Sequence, residues 1–215
     1  MNDTFLFRNY GPAALDAPYN NRVAVPEHVE LFEGWTEDSI RLLERFEHRL
    51  NVAYGSSKME KLDIIIPPGD GLHPVNIFFH GGYWMSRSKD DLTFAARALV
   101  EAGAVAVIVD YALMPQVRLD EIVRQCRASV AWTRANAATF NADPDRIFVS
   151  GHSAGAYLAA LMSLDPAYLG AHGMKLSDIR GSIPISPFLY VEEKDVAPSR
   201  SKSVWGTDEA LWKKA

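Results

Sequence analysis

Ser153 is the residue whose type and setting point most directly to chemistry. It lies at the centre of Gly151-His152-Ser153-Ala154-Gly155, after the strand-forming run 146–149 and before an Ala- and Leu-rich segment that favours helix. A serine between strand and helix, with glycines two residues before and after it, is typical of a nucleophile elbow. The pattern predicts that Ser153 is a nucleophile. The alternative is an ordinary serine-containing turn.

A second motif, His80-Gly81-Gly82-Tyr83-Trp84, lies upstream and directly follows the predicted strand 74–79. Attack by a serine creates a tetrahedral oxyanion, which needs two or three N–H donors at about 3 Å. A glycine pair lets the backbone turn its amides toward a neighbouring nucleophile. We therefore expect the N–H groups of Gly82, Tyr83 and Ala154 to form an oxyanion hole.

The side chains of this second motif have separate expected roles. His80 is expected to pin the loop through hydrogen bonds rather than to act as a catalytic base. Trp84 and Tyr83 either line an aromatic substrate pocket or wedge the loop onto the core, and the sequence leaves both interpretations open.

The two motifs, in this order and spacing, resemble those of the α/β-hydrolase superfamily, close to the hormone-sensitive-lipase-like esterases and especially to the arylformamidases (kynurenine formamidases). Three shorter stretches are similar to the bacterial arylformamidase branch, at 19–26, 50–55 and 120–125. The likeness fades after about residue 186, and Ala112 stands where relatives often carry an arginine.

The resemblance implies an α/β-hydrolase fold, with a mostly parallel central sheet, helices on both faces and the last strands lacking. It also implies hydrolysis of a small aryl formamide or carboxylic ester, similar to N-formylkynurenine, through an acyl-serine intermediate. No cofactor or metal is implied.

Composition favours a single soluble domain over the whole chain, 1–215. The chain has 215 residues, of which 48% are apolar, enough for a core without disulfides. The one cysteine, Cys126, is in phase with the apolar face of a predicted helix and should be a buried thiol. The net charge of −5 and the lack of a basic run argue against nucleic acid as partner. No signal peptide or membrane span is predicted, so we expect a cytoplasmic protein.

Strand and helix alternate along the chain, as in a parallel sheet covered on both faces. Residues 1–50 are predicted to be a helical lead-in, with a helix over 36–50 capped by Thr36. A capping box of Ser88 and Asp91 should begin a helix that ends at Gly103. Further strands are expected at 51–54, 61–66, 75–80, 105–109 and 181–186, with a helix over 118–139.

The catalytic base and acid are the missing parts. In the fold that the resemblance implies, the chain order is serine, acid, histidine. Only 28 residues follow residue 187, and none is a histidine. The missing strand units imply a shortfall of roughly 60 residues, so the triad acid and base are expected to be absent from this chain.

The other histidines of the chain are weak candidates for the catalytic base. His172 is expected near the amino ends of the strands, opposite the nucleophile. His152 is expected to have a packing or hydrogen-bonding role. Nothing marks the others as catalytic: His28, His48, His73. Acids that follow the 181–186 strand are either a triad acid or, more simply, a solvated loop: Glu192, Glu193, Asp195.

Two alternatives to an active hydrolase stay open. The chain is either a truncated, catalytically incompetent member of the superfamily that binds ligands or partners, or an enzyme completed by another subunit. In either case truncation would leave an apolar sheet edge, from which we expect poor solubility, a homo-oligomer formed through that edge, or a stabilising partner.

Overall fold

Six strands form one mixed sheet within residues 21–187, the part of the chain that this computed structural model describes. The strands are β1 (Glu47–Ala53), β2 (Lys61–Ile66), β3 (His73–Phe79), β4 (Val105–Val109), β5 (Ala142–His152) and β6 (Ile179–Ile185), and their order in the sheet is β1-β2-β4-β3-β5-β6. The helices are α1 (Asn21–Ala24), α2 (His28–Leu43), α3 (Lys89–Leu92), α4 (Arg97–Glu101), α5 (Leu119–Asn136), α6 (Ala154–Leu164) and α7 (Pro166–Gly170).

The direction of the strands confirms the predicted α/β class. Strands β4, β3, β5 and β6 are parallel, whereas β2 is antiparallel to both of its neighbours. Every residue of β4 is buried, as expected for a strand that is covered on both faces and therefore reads as a continuous apolar run. The carboxyl ends of β3 and β5 lie side by side, with Phe79 paired to Gly151.

Helices cover the two faces of the sheet and bury two separate apolar clusters. Helix α2 and the segment from α3 to α4 pack on the smaller cluster, which consists of Leu42, Ile65, Phe78, Leu92, Ala96, Val100, Ala106 and Ile108. Helices α5 and α6 pack on the larger cluster, which includes Ile77, Phe79, Val107, Ile122, Cys126, Val149 and Leu158. The thiol of Cys126 is buried, as predicted, and its burial raises its pKa.

The predicted helix over 36–50 is wrong in its bounds. Helix α2 begins at His28 and ends at Leu43, and the next residues form β1 from Glu47, so the lead-in is not helical up to residue 50. Thr36 donates to the carbonyl of Phe32 inside the helix and does not cap it. Residues 47–53 form a strand and not a helix because they pair with the outer edge of β2. This tertiary interaction overrides the helical periodicity of the local sequence.

The other predicted elements are present, but most of their ends differ by a few residues, as for the strand predicted at 51–54, which spans Glu47–Ala53. The capping box of Ser88 and Asp91 begins α3, although the helix predicted from there to Gly103 is divided by a 3₁₀ turn over Thr93–Ala96. Pro184 is accommodated because, among the described residues, β6 pairs only with β5 and is therefore an edge strand. No helix between residues 21 and 187 is long and apolar enough to cross a membrane.

Candidate active site

Ser153 lies at the junction of β5 and α6 in a strained backbone conformation, with φ 54° and ψ −115°. Residues with a Cβ rarely adopt this combination, and such strain concentrates at functional sites. Hydrogen bonds hold the junction from both sides. The N–H of Ser153 donates to the carbonyl of Ile185 at 2.9 Å, and its own carbonyl accepts from the N–H of Tyr157 at 3.2 Å. The residue as a whole is half-buried.

Gly151 and Gly155, on either side of Ser153, allow the backbone of helix α6 to contact the backbones of strands β3 and β5. A Cβ on Gly155 would overlap the carbonyl group of Phe79 in β3, and a Cβ on Gly151 would overlap the carbonyl group of Gly155. Only glycine therefore lets helix α6 begin this close to the two central strands. The G-x-S-x-G spacing has a local steric cause in this chain.

Gly81 brings the second motif against the elbow. A Cβ on Gly81 would lie 2.9 Å from the carbonyl oxygen of His152 and 3.4 Å from Cβ of Ser153. The loop that follows β3 thus passes directly beside the candidate nucleophile. The sequence singled out Gly82 and missed this role of Gly81, because the close approach depends on the pairing of β3 with β5.

Gly82 makes the turn that follows. Its φ is 111°, and the next two residues, Tyr83 and Trp84, also have left-handed φ values of 58° and 57°. The carbonyl of Gly82 accepts the N–H groups of Met85 and Ser86, each at 3.1 Å. We call the segment from Gly81 to Trp84 the glycine loop.

Two of the three predicted oxyanion donors are unused by the described residues. Within residues 21–187 the N–H groups of Gly82 and Ala154 donate no hydrogen bond. An oxyanion hole requires donors of this kind, preorganised and not already engaged. The assignment of the amides of Gly82, Tyr83 and Ala154 to an oxyanion hole stays a prediction.

Trp84 packs in the core beneath the glycine loop. Its side chain is 3% exposed and meets the ring of Tyr157 edge-on, with centroids 5.5 Å apart. Its carbonyl accepts the N–H of Met114 at 2.8 Å. These contacts favour the interpretation that Trp84 wedges the loop onto the core. Tyr83, which is half-buried, is the more accessible of the two aromatic residues, and the contact of either with a substrate stays a prediction.

His80 pins the glycine loop, as the sequence predicted. Its Nδ1 donates to the carbonyl of Gly81 at 2.7 Å, and its ring stacks on Tyr111 with centroids 4.2 Å apart. The hydroxyl of Tyr111 donates to the carbonyl of His80 at 2.5 Å. Burial lowers the pKa of His80 from 6.5 to about 4, so the ring is neutral at pH 7.

A buried charged cluster beside His80 was missed by the sequence reasoning. Lys89 is buried, and its ammonium group contacts the carboxylates of Asp63 at 3.0 Å and Asp90 at 2.5 Å. Its backbone N–H donates to Oδ1 of Asp110 at 2.6 Å. Asp63 could have been the clue, because an acid inside the run 61–66 must be buried and needs a cationic partner.

Asp110 directly follows β4 and lies next to His80. Its Oδ1 lies 3.7 Å from Nε2 of His80. Burial raises the pKa of Asp110 from 3.8 to about 6, against the opposing effect of the hydrogen bond from Lys89. The carboxyl group is therefore unusually basic for an aspartate.

Histidine does not contact the hydroxyl of Ser153 within the described part of the chain. His172 follows α7 and is separated from Ser153 by the whole of α6, about 16 Å of helix rise. His152 is exposed and adjacent in sequence, but its ring makes no hydrogen bond to Ser153 among the described residues. The other histidines donate to nearby carbonyl groups: His28 to Val25, His48 to Phe46, His73 to Gly103.

The candidate acids Glu192, Glu193 and Asp195 lie outside the described residues. Among residues 21–187, no group of three or more histidine, cysteine, aspartate or glutamate side chains is placed to hold a metal ion.

Comparison with known families agrees with this geometry. The sequence pattern of the alpha/beta hydrolase fold family matches residues 76–215, which include both the glycine loop and the elbow. The chain belongs to this family.

Relatives of this chain include formamidases and esterases. Over 163 residues the chain is 34% identical to the kynurenine formamidase of Salmo salar, covering 75% of this chain and 53% of that enzyme. It is 31% identical to an isoprenylcysteine alpha-carbonyl methylesterase of Arabidopsis thaliana, covering 60% of this chain and 30% of that enzyme. The crystal structure of a candidate thioesterase from Silicibacter sp. TM1040 is 32% identical and superimposes with a TM-score of 0.67, covering 80% of this chain and 62% of that one. The chain thus spans about half the length of the kynurenine formamidase that it matches.

Proposed function

We propose that this chain carries the nucleophile half of a serine hydrolase that acts on a small aryl formamide or carboxylic ester. Ser153 attacks the acyl carbon and forms an acyl-serine intermediate, which water then hydrolyses. The amides of Gly82, Tyr83 and Ala154 stabilise the oxyanion of each tetrahedral intermediate.

The observation that carries the proposal is the strained backbone of Ser153 beside the glycine loop. The conformation at φ 54° and ψ −115° is maintained only because Gly151, Gly155 and Gly81 permit close backbone contacts around it. The likeness to kynurenine formamidase supports a formamide substrate, and the likeness to methylesterases supports an ester.

The direct test is hydrolysis of N-formylkynurenine and of p-nitrophenyl acetate by the wild type and by Ser153→Ala. Loss of the nucleophile should reduce turnover on the order of 10⁴- to 10⁶-fold. Ser163→Ala is the matched control, because Ser163 lies on the same helix and only donates to helix carbonyls of Ala159 and Ala160. Normal turnover by Ser153→Ala would contradict the mechanism. Turnover of the ester alone would assign a general carboxylesterase.

A second candidate is a hydrolase-like domain that does not turn over by itself. It is favoured because, within residues 21–187, the histidine side chains make their hydrogen bonds to backbone carbonyl groups and to Tyr111, and none to the Ser153 hydroxyl. A fluorophosphonate probe, which labels serines activated by a base, distinguishes the two candidates. Slow labelling of the 215-residue chain is expected here, whereas rapid stoichiometric labelling of Ser153 would overturn this candidate and direct attention to His172 or a histidine of another subunit.

The proposal also covers the location, the ligand and the self-association of the protein. We propose a cytoplasmic location, a small acyl compound as the only ligand class, and self-association through the edge strand β6. The exposed side chains of Ile183 and Ile185 on that strand support the last point.

A further inference from the structure

Behind the glycine loop, two buried acceptor atoms face each other. Nε2 of His80 is fully buried and has no hydrogen-bond partner within the described residues, and Oδ1 of Asp110 lies 3.7 Å away. An unpaired polar atom in such a position is costly, because it has lost its hydrogen bonds to water. The pair therefore needs an explanation that the elbow and the loop do not supply.

The tautomer of His80 follows from its partners. Nδ1 contacts the carbonyl oxygen of Gly81 at 2.7 Å, and a carbonyl can only accept, so Nδ1 carries a proton. In the neutral ring, Nε2 is then a lone pair that points toward Asp110. An ionised Asp110 would place a carboxylate against this lone pair, whereas one proton between the two atoms satisfies both.

We propose that, at mildly acidic pH, His80 and Asp110 share one proton between Nε2 and Oδ1, and that Asp110 thereby is a positioning residue for the oxyanion hole. A hydrogen bond between these atoms needs a separation of about 2.8 Å, so the carboxyl group must approach by about 1 Å. The inference rests on the proposed function, since the aim of the glycine loop matters only if Ser153 attacks an acyl group.

The connection to the oxyanion hole is covalent. The carbonyl of Gly81 and the N–H of Gly82 belong to one planar peptide unit and point in opposite directions. When Nδ1 of His80 holds the carbonyl of Gly81, it also sets the direction of the Gly82 N–H, the candidate donor. Asp110 acts on this donor through the imidazole ring.

Oδ1 of Asp110 has two tasks that an amide cannot combine. It accepts the N–H of Lys89 at 2.6 Å and must also share a proton with Nε2 of His80. A protonated carboxyl oxygen can both accept and donate, whereas an amide oxygen only accepts and an amide nitrogen only donates. Asparagine at this position would therefore leave one of the two partners unsatisfied.

The charged groups around His80 and Asp110 determine the pH at which the pair loses its proton. Burial raises the pKa of Asp110 to about 6; the backbone hydrogen bond and the ammonium group of Lys89 oppose this rise, and the carboxylates of Asp90 and Asp63 add to it. Asp91 is the charged group that raises the pKa of His80 against its burial. The other titratable neighbours have pKa values raised well above their ordinary range and stay neutral: Tyr54, Tyr111, Cys126.

The test is ¹⁵N NMR of the 215-residue chain, labelled at histidine and glycine, from about pH 4.5 to 7.5. The Nε2 resonance of His80 should move in one step with a midpoint near pH 6, and the amide resonance of Gly82 should move with the same midpoint. Asp110→Asn should abolish both steps, because an amide does not titrate. A flat Gly82 amide in the wild type, or an unchanged step in Asp110→Asn, would overturn the proposal.

Asp90→Asn provides a second variant in case Asp110→Asn does not fold. The side chain of Asp90 is 75% exposed, and its charge raises the pKa of Asp110, so its removal should move both midpoints to lower pH. Midpoints of the two resonances that no longer coincide in this variant would contradict the proposal. The NMR steps require no turnover. If both resonances show the step but the chain hydrolyses neither substrate, only the proposed function is contradicted. If the chain is active but the resonances show no step, only this inference is contradicted.

Discussion

Gly155 of helix α6 touches the carbonyl group of Phe79 in strand β3, backbone against backbone. The contact lies two residues beyond Ser153, in the first turn of the helix. A side chain of any size at position 155 would push the helix from the sheet and move Ser153 away from the glycine loop.

Gly155→Ala should destabilise the fold, because its methyl group would overlap the carbonyl of Phe79. Overpacking of a rigid core costs typically about 1–3 kcal/mol, and a clash with backbone belongs at the upper end. Gly170→Ala is the control, since a Cβ there meets nothing within 4 Å and should be neutral or slightly stabilising. Urea unfolding of both variants checks this. Equal stability of the two variants would contradict the close contact.

Gly82→Ala should reduce turnover more than it reduces stability. Its φ of 111° and the overlap of a Cβ with the carbonyl of Ser86 would force the turn to open and misdirect the donors. Loss of one oxyanion donor costs about 10²–10³-fold in kcat. Gly103→Ala shares the left-handed φ, at 84°, but has open space around it, so it isolates the backbone strain of about 1 kcal/mol.

Steady-state kinetics and urea unfolding on the same two preparations separate these effects. The glycine-loop assignment would be refuted by Gly82→Ala with an unchanged kcat, provided that Ser153→Ala is inactive in the same assay.

The stability of the His80 and Asp110 single variants should depend on pH in opposite directions. The pKa of His80 is lowered from 6.5 to about 4, so its contribution is present above pH 6.5 and is lost as the pH falls toward 4. The pKa of Asp110 is raised from 3.8 to about 6, so its contribution is present below pH 3.8 and is lost as the pH rises through 6. In the wild type the two changes nearly cancel, because the pair binds about one proton in both the folded and the unfolded state.

Each single variant removes this cancellation. Relative to wild type, Asp110→Asn should lose about 3 kcal/mol of stability between pH 6.5 and pH 4, from the remaining histidine. His80→Gln should lose about 3 kcal/mol between pH 4 and pH 6, from the remaining aspartate. Urea unfolding across this range measures both. If the free energy of unfolding of both variants changed with pH in the same direction, the pKa values of His80 and Asp110 would not be shifted in opposite directions as described.

Replacing Ile183 and Ile185 by lysine should reduce self-association. These side chains are 50% and 48% exposed on the edge strand β6, and charged residues on an edge oppose strand pairing. Leu164→Lys is the control, because Leu164 is 71% exposed but lies at the end of a helix. Light scattering after size exclusion gives the mass of each species. A wild type that is monomeric at all concentrations would refute the edge interface.

The elbow could be predicted from the sequence because its cause is local. A strand, a strained serine and a helix are adjacent in the chain, and the glycines at 151 and 155 mark the contacts directly. The same holds for the capping box at Ser88 and for β4, whose predicted bounds agree with the structure.

Features that depend on distant partners could not be predicted in this way. The role of Gly81 requires β3 to lie beside β5, and the end of α2 at Leu43 requires β1 to pair with β2. The ion pair of Lys89 with Asp63 joins residues from two different elements, and no local pattern around Lys89 indicates that it is buried. The approach of His80 to Asp110 is likewise set by the neighbouring ends of β3 and β4.

The strand order also determines when the site can assemble during folding. Strand β5 inserts next to β3, a strand that precedes it by about seventy residues, and their buried side chains Ser150 and Asn76 meet across this gap at 2.5 Å. Pairings so distant in the chain are slow to form, because the loop between them must close before any contact compensates for the lost entropy. Strands β3 and β4 are synthesised before Ser153, but Trp84 of the glycine loop packs against Tyr157 of α6, which follows the serine. The glycine loop and the elbow therefore complete each other late in folding, once β5 has paired with β3.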